Sequence, residues 1–185
     1  DTHHADRADT DDVLAGGTPT SSSTLPSLVV RMYRHAMIGD GHQLLVTTGT
    51  GYGTALACAR LGEEHVTSID IDEYLVKLAA DRLALLGERP RMEVCDITGP
   101  LPGEYDRIVA TVSVRPVPVS WLKALRTGGR FVTTISGTGL ILTADKTADG
   151  GAVGRIEWDR AGFMPTRHGD SYDSPVDDIW KGAAQ

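Results

Sequence analysis

The residues best able to do chemistry in this 185-residue chain are a Gly-Thr-Gly-Tyr run at 49–52 and an acid that follows it. Gly49 and Gly51 allow a tight backbone turn and leave room for a ligand to lie against it. Asp70 closes the run His-Val-Thr-Ser-Ile-Asp and comes 70 − 51 = 19 positions after Gly51. At that spacing a carboxylate meets ribose hydroxyls in nucleotide-binding strand–helix–strand units. A second acid, Asp96, closes a later stretch, Arg-Met-Glu-Val-Cys at 91–95, that reads as a strand. Its carboxylate suits an adenine amino group, and the adjacent Ile97 amide suits a ring nitrogen. On these residues alone, a nicotinamide dinucleotide, a flavin and S-adenosylmethionine all remain open.

Two other groups could face a substrate. Residues 20–24 read Thr-Ser-Ser-Ser-Thr, and Ser22, Ser23 and Thr24 are candidate hydroxyl donors to a reacting group. Residues 112–118 read Val-Ser-Val-Arg-Pro-Val-Pro, a loop expected beyond the fourth strand. Ligands in open α/β sheets bind beyond the carboxyl ends of strands, which puts Ser113 and Arg115 on the functional edge. Arg115 can grip a carboxylate through two parallel hydrogen bonds.

The elements that must position these groups follow from periodicity. Residues 43–47 form a short apolar run with β-branched members, the pattern of a buried parallel strand. A helix rich in alanine follows at 53–61, with Gly62 as its stop. A second strand covers 66–69. Asp72 caps a helix whose buried face is Leu75, Ala79, Leu83 and Leu86, ended by Gly87. Strands are expected at 91–95, 107–111 and 131–135, with a short helix at 118–125. Two further strands, 140–143 and 153–158, flank an Asp-Gly-Gly turn. Ahead of all these, Pro26 opens a helix with Thr24 as its N-cap and Leu28, Met32 and Ala36 on its buried face. Phe163 and Met164 are expected to finish the sheet or to lie beneath it. The fold class is α/β: a Rossmann-like, doubly wound, mostly parallel sheet with an antiparallel strand near the C-terminus.

Composition narrows the function classes. The net charge is −7, from 25 acidic and 18 basic residues, which argues against nucleic acid as the main partner. No apolar run approaches the roughly 20 residues that span a bilayer. No secretory pattern is present, and Cys58 and Cys95 fall in core elements, so a cytoplasmic location is expected. No metal site is expected either: the His3–His4 pair has no second ligand cluster near it in sequence. The organisation reads as a polar lead at 1–17, a catalytic domain at 18–166 and an irregular tail at 167–185. The first residue is not methionine, so the natural start is expected to lie elsewhere.

Together these blocks resemble class I S-adenosylmethionine-dependent methyltransferases, and more narrowly the protein-L-isoaspartate O-methyltransferase family. The resemblance rests on Ser-Ser-Thr-Leu-Pro at 22–26, Gly-Thr-Gly-Tyr at 49–52, Tyr-Asp-Arg-Ile-Val at 105–109 and Gly-Gly-Arg-Phe-Val at 128–132. It implies S-adenosylmethionine as cofactor, held by Thr48, Gly49, Gly51, Tyr52, Asp70, Ile71, Asp96, Ile97 and Thr111. A closer likeness is to the branch found beside ATP-grasp enzymes that make graspetides, ribosomal peptides with side-chain crosslinks. It is carried by residues 18–23, 112–118, 140–147 and 157–167. That likeness implies methylation of an aspartate side chain in a crosslinked precursor peptide, followed by loss of methanol to an aspartimide. Repair of isoaspartyl proteins is the alternative in the same chemistry, and an inactive cofactor-binding partner of a maturation complex is another. Three positions depart from the family pattern: Leu45 where an acid is usual, Thr47 where a glycine is usual, and Thr24 where the isoaspartate enzymes carry serine.

A carboxylate is already nucleophilic at neutral pH, so this chemistry asks for orientation rather than for a strong base. Ser22, Ser23 and Thr24 are expected to orient it, with Ser113 and Arg115 in support. Holding two reactants in attack geometry contributes about 7–11 kcal/mol at most.

Overall fold

A computed structural model describes residues 25–166. The elements run α1 (Pro26–Ala36), β1 (Leu44–Thr47), α2 (Tyr52–Leu61), a 3₁₀ turn (Glu63–His65), β2 (Val66–Asp70), α3 (Glu73–Leu85), β3 (Arg91–Val94), β4 (Tyr105–Val114), α4 (Val119–Ala124), β5 (Leu125–Ile135), β6 (Leu140–Lys146) and β7 (Ala152–Arg160). All seven strands form one sheet in the order β3-β2-β1-β4-β5-β6-β7. The pairs from β3 through β5 are parallel, and β6 is antiparallel to both neighbours. The chain winds outward from β1 through β2 to β3, then resumes on the other side of β1 with β4. A crevice therefore opens at the carboxyl ends of β1 and β4, the switch point of a doubly wound sheet.

The sheet is buried by alternation. Leu44 and Val46 of β1 face one core with Val29, Met32, Tyr33 and Ala36 of α1 and Ala57 and Cys58 of α2. Leu45 faces the other core, with Ile69, Ile108, Phe131 and Trp121 of α4. Leu45 is wholly buried there. A carboxylate in its place would be buried among apolar side chains, which is costly without a partner. The Trp121 ring meets Phe131 edge-on with centroids 5.5 Å apart, and its indole N–H donates to the Ile97 carbonyl at 2.7 Å.

Several local expectations are realised by their predicted caps. The Asp72 side chain accepts from the Tyr74 amide at 2.9 Å, and Gly62, at φ 91°, donates to the Cys58 carbonyl at 2.8 Å. The start of α1 differs. Leu25 is its N-cap, with Pro26 at the first helical position and no side-chain cap; Thr24, expected in that role, lies outside the described residues. Strand four also differs: it runs on to Val114, through residues expected to be loop. Two non-local partners hold the extension: Ser113 and Val114 pair with Thr134 and Ile135 of β5, and the chain after β7 bonds to Ser113 from the other side. The Ser113 amide donates to the Met164 carbonyl at 2.8 Å, and the Thr166 amide donates to the Ser113 carbonyl at 2.9 Å. The chain leaving β7 thus returns across the sheet to the end of β4, and this is how residues 163–166 finish the sheet.

Helix α1 is fastened at several points. Arg31 and His35 reach Asp159 of β7 at 3.1 and 2.9 Å. At its C-terminus Met37 adopts φ 53°, and the Arg107 and Arg130 guanidiniums donate to the Met37 and His35 carbonyls. Cations placed on the last carbonyls of a helix satisfy orphan acceptors and complement its dipole.

Candidate active site

The glycine run turns β1 into α2. The Thr48 amide donates to the Ile69 carbonyl at 2.8 Å and the Gly51 amide to the Thr48 carbonyl at 2.9 Å. Gly49 and Gly51 have φ of 49° and 84°, a region that side chains rarely adopt. A Cβ on Gly51 would lie 3.0 Å from Ala79 Cβ, so α3 also closes on the loop only because the residue is glycine. Behind the loop, Ser68 Oγ lies 2.7 Å from Thr48 Oγ1 and 2.8 Å from Thr54 Oγ1. All three hydroxyls are buried, and their mutual bonds tie the loop to β2 and to the first turn of α2.

The acids sit where the strands end. Asp70 accepts from the Gly49 amide through one oxygen at 3.0 Å and from the Asp72 amide through the other at 3.1 Å. The carboxylate is held rigidly against the glycine run. Asp96 turns back on Thr98, accepting from its amide and its hydroxyl at 2.8 Å each. The Trp121 bond fixes the neighbouring Ile97 peptide. At the switch point Thr47 and Thr111 join β1 to β4. Their hydroxyls are 2.7 Å apart, and the Thr111 amide donates to Thr47 Oγ1 at 2.9 Å.

One cleft collects these groups. Thr48, Gly49, Tyr52, Asp70, Ile71, Asp96, Ile97 and Thr111 all line it; Gly51 lies behind them, buried as the N-cap of α2. Ser113 and Arg115 do not line it. Ser113 is buried in β4 and Arg115 is exposed past the strand's end. Ser22, Ser23 and Thr24 lie outside the described residues. Sequence reasoning missed several wall residues: Val29 and Tyr33 from α1, Thr50, Gly53, Cys95, and residues 163–166; Thr47, noted there as a departure from the family's glycine, also lines the cleft. The phenol of Tyr33 donates to the Gly53 carbonyl at 2.6 Å. Burial, with Cys58 nearby, pushes that phenol well above its ordinary pKa, so it stays a donor. Burial also raises the Cys95 thiol, helped by Glu93 and Asp96.

The lining contains no lysine or histidine among the described residues. Its polar groups are hydroxyls, backbone amides and two carboxylates. That set fits an adenosine carrying a cationic group: acids for ribose hydroxyls and a base amino group, apolar Ile71 and Ile97 for the ring, and net negative charge for a sulfonium.

Comparison with known proteins agrees. The family model for protein-L-isoaspartate(D-aspartate) O-methyltransferase matches residues 3–170. The protein-L-isoaspartate O-methyltransferase 1 of Nitrosococcus oceani is 32% identical over 148 residues, covering 76% of this chain and 68% of the relative. The enzyme of that name from Ignicoccus hospitalis is 30% identical over 142 residues, covering 71% and 66%. A ribosomal protein L11 methyltransferase of Geotalea uraniireducens is 35% identical over 104 residues, 52% of this chain and 33% of that protein. The chain thus spans about a third to two thirds of the length of curated relatives that it matches. Among solved structures, a protein-L-isoaspartate O-methyltransferase superposes with a TM-score of 0.70 at 25% identity, over 80% of this chain and 49% of that one. A Plasmodium falciparum relative in complex with S-adenosyl-L-homocysteine shares the fold, with a TM-score of 0.66 at 13% identity over 81% of this chain and 78% of that one. The cleft and these matches lead to one assignment: the chain belongs to the protein-L-isoaspartate(D-aspartate) O-methyltransferase family of S-adenosylmethionine-dependent methyltransferases.

Proposed function

We propose that the chain transfers a methyl group to an aspartate side-chain carboxylate of a ribosomally made, crosslinked peptide, and that the ester then closes to an aspartimide. The observation that carries the carboxylate acceptor is the cleft lining, which offers hydroxyls and amides but no strong base among the described residues. A carboxylate acceptor needs none. S-adenosylmethionine, when bound, supplies an electrophilic methyl group.

The residues of the chain have distinct tasks in this reading. Asp70 takes ribose hydroxyls while the Gly49 amide holds its carboxylate in place. Asp96 and the Ile97 amide address the adenine edge. Thr48, Gly49 and Tyr52 flank the donor along the glycine run, with Gly51 shaping the turn, and Ile71 and Thr111 complete the walls. Ser22, Ser23 and Thr24 orient the acceptor carboxylate. Ser113 supports this through its backbone, which anchors residues 164 and 166 beside the cleft. Arg115, exposed beyond β4, meets acidic groups of the incoming peptide. Excluding water around the reacting pair favours a reaction in which opposite charges are neutralised.

What supports the crosslinked-peptide substrate is that the described parts of two segments carrying that likeness meet beside the cleft, Ser113 of the first bonding to residues 164–166 of the second. What supports the second reading, repair of isoaspartyl residues, is the name shared by the curated relatives. Mass spectrometry separates them. A crosslinked precursor and an isoaspartyl peptide are each incubated with enzyme and S-adenosylmethionine. Carboxyl methylation adds about 14 Da, and aspartimide closure then removes about 32 Da as methanol leaves. The proposal expects both steps on the crosslinked precursor. Methylation of the isoaspartyl peptide alone assigns the repair reading instead.

A further inference from the structure

The wall of the cleft contains one contact that neither the cofactor chemistry nor the acceptor chemistry uses. Tyr33 of α1 donates its phenol proton to the Gly53 carbonyl, in the first turn of α2, at 2.6 Å. The phenol is buried, and both residues line the donor cleft. The approach depends on glycine: a Cβ at position 53 would stand 3.2 Å from the phenol oxygen and 3.6 Å from a Val29 methyl. Val29 lies one helical turn before Tyr33, so the two share one face of α1.

The other polar anchors of α1 lead elsewhere. Arg31 and His35 go to β7, and the C-terminal carbonyls go to arginines of β4 and β5. Among the described residues, the phenol makes the hydrogen bond that ties α1 to the α2 turn following the donor loop. In sequence, α1 begins two residues after Thr24, the last of the hydroxyls assigned to the acceptor. We propose that Tyr33 is a positioning residue that couples occupation of the donor loop to α1, and through α1 to the acceptor-orienting run. The last link of that coupling rests on the function proposed above; the first does not.

Coupling between two sites is reciprocal in binding free energy. A ligand that steadies the donor loop must steady α1 through this bond. Hydrogen–deuterium exchange with S-adenosyl-L-homocysteine reads that directly and needs no acceptor. In the unaltered protein, saturating ligand slows exchange at residues 48–53 and also in α1. In Tyr33→Phe the loop remains slowed, while α1 returns to within about twofold of its ligand-free rate. Gly53→Ala, whose methyl group crowds the phenol, gives the same separation. Turnover adds a second readout: Tyr33→Phe lowers kcat more than it raises donor KM, because the phenol lines the cleft but shares none of the roles given above to Asp70, Asp96 and the Ile97 amide. Equal protection of α1 in the unaltered protein and in both variants overturns the proposal. A failure of the acceptor reading looks different. Then Ser23→Ala with Thr24→Ala leaves kcat unchanged, while the exchange result for Tyr33→Phe stands by itself.

Discussion

Residue by residue, the chemistry of the cleft rests on neutral donors and fixed carboxylates. Thr47 is the clearest case. Its hydroxyl meets both the hydroxyl and the amide of Thr111, where the ladder between β1 and β4 ends. Thr47→Gly strips that amide of its acceptor and costs about 1–3 kcal/mol of stability in chemical denaturation, whereas Thr47→Ser keeps most of it. A Thr47→Gly protein as stable as the parent would show that the bridge contributes nothing. Cys58 gives a second prediction. Its thiol is buried, and burial, reinforced by Glu88 and Glu63, pushes its pKa up to about 12. Disulfide reagents at neutral pH therefore modify it only as fast as the protein opens. The glycine run and Asp70 were legible in the sequence because turn geometry and strand length fix their spacing locally. Thr47–Thr111 and Tyr33–Gly53 were not, since their partners lie 64 and 20 positions away and no local pattern marks them.

At the scale of elements, α1 is clamped to the antiparallel end of the sheet by charge. The His35 hydrogen bond, with Arg31 beside it, holds Asp159 below the usual carboxylate range. Burial pushes Glu157 up, but its bonds to Arg155 and Thr143 outweigh this and leave it lowered. Asp145 is lowered by its two bonds to Arg130, 2.7 Å each. The sign follows from linkage. A carboxyl group whose folded pKa lies below its unfolded value stabilises the fold above the ordinary carboxylate range, and that stability is lost as pH falls through the depressed value. Stability should therefore hold steady from neutral pH down to roughly pH 4, where unfolded carboxylates titrate, and fall below it. Asp145→Asn should lower the melting temperature at pH 7, with the gap to the parent closing as acid protonates the native aspartate. A gap that persists unchanged into acid would mean that the Arg130 pair is not its source. Most elements could be read from periodicity. The extension of β4 to Val114 could not, because it depends on non-local partners: Thr134 and Ile135 of β5 on one side and, at Ser113, the backbone of residues 164–166 on the other.

For the whole molecule, strand order decides where chemistry happens. Reversal of winding between β1 and β4 opens the crevice, and the ends of β1, β2 and β4 and the turn after β3 all feed residues into it. The α/β class was legible from alternating strand and helix patterns. The position of the α1 wall and of the returning segment 163–166 was not, because the sheet brings them together only once it is assembled. In the function proposed above, an adenosine-bearing methyl donor lies across this rim with Asp70 on its ribose. Calorimetric titration with S-adenosyl-L-homocysteine tests it most directly. One ligand should bind per chain, with affinity lowered about tenfold or more in Asp70→Ala as hydrogen bonds to a charged acceptor are lost. Binding of equal strength in the parent and in a folded Asp70→Ala protein, or no binding in the parent, would contradict it.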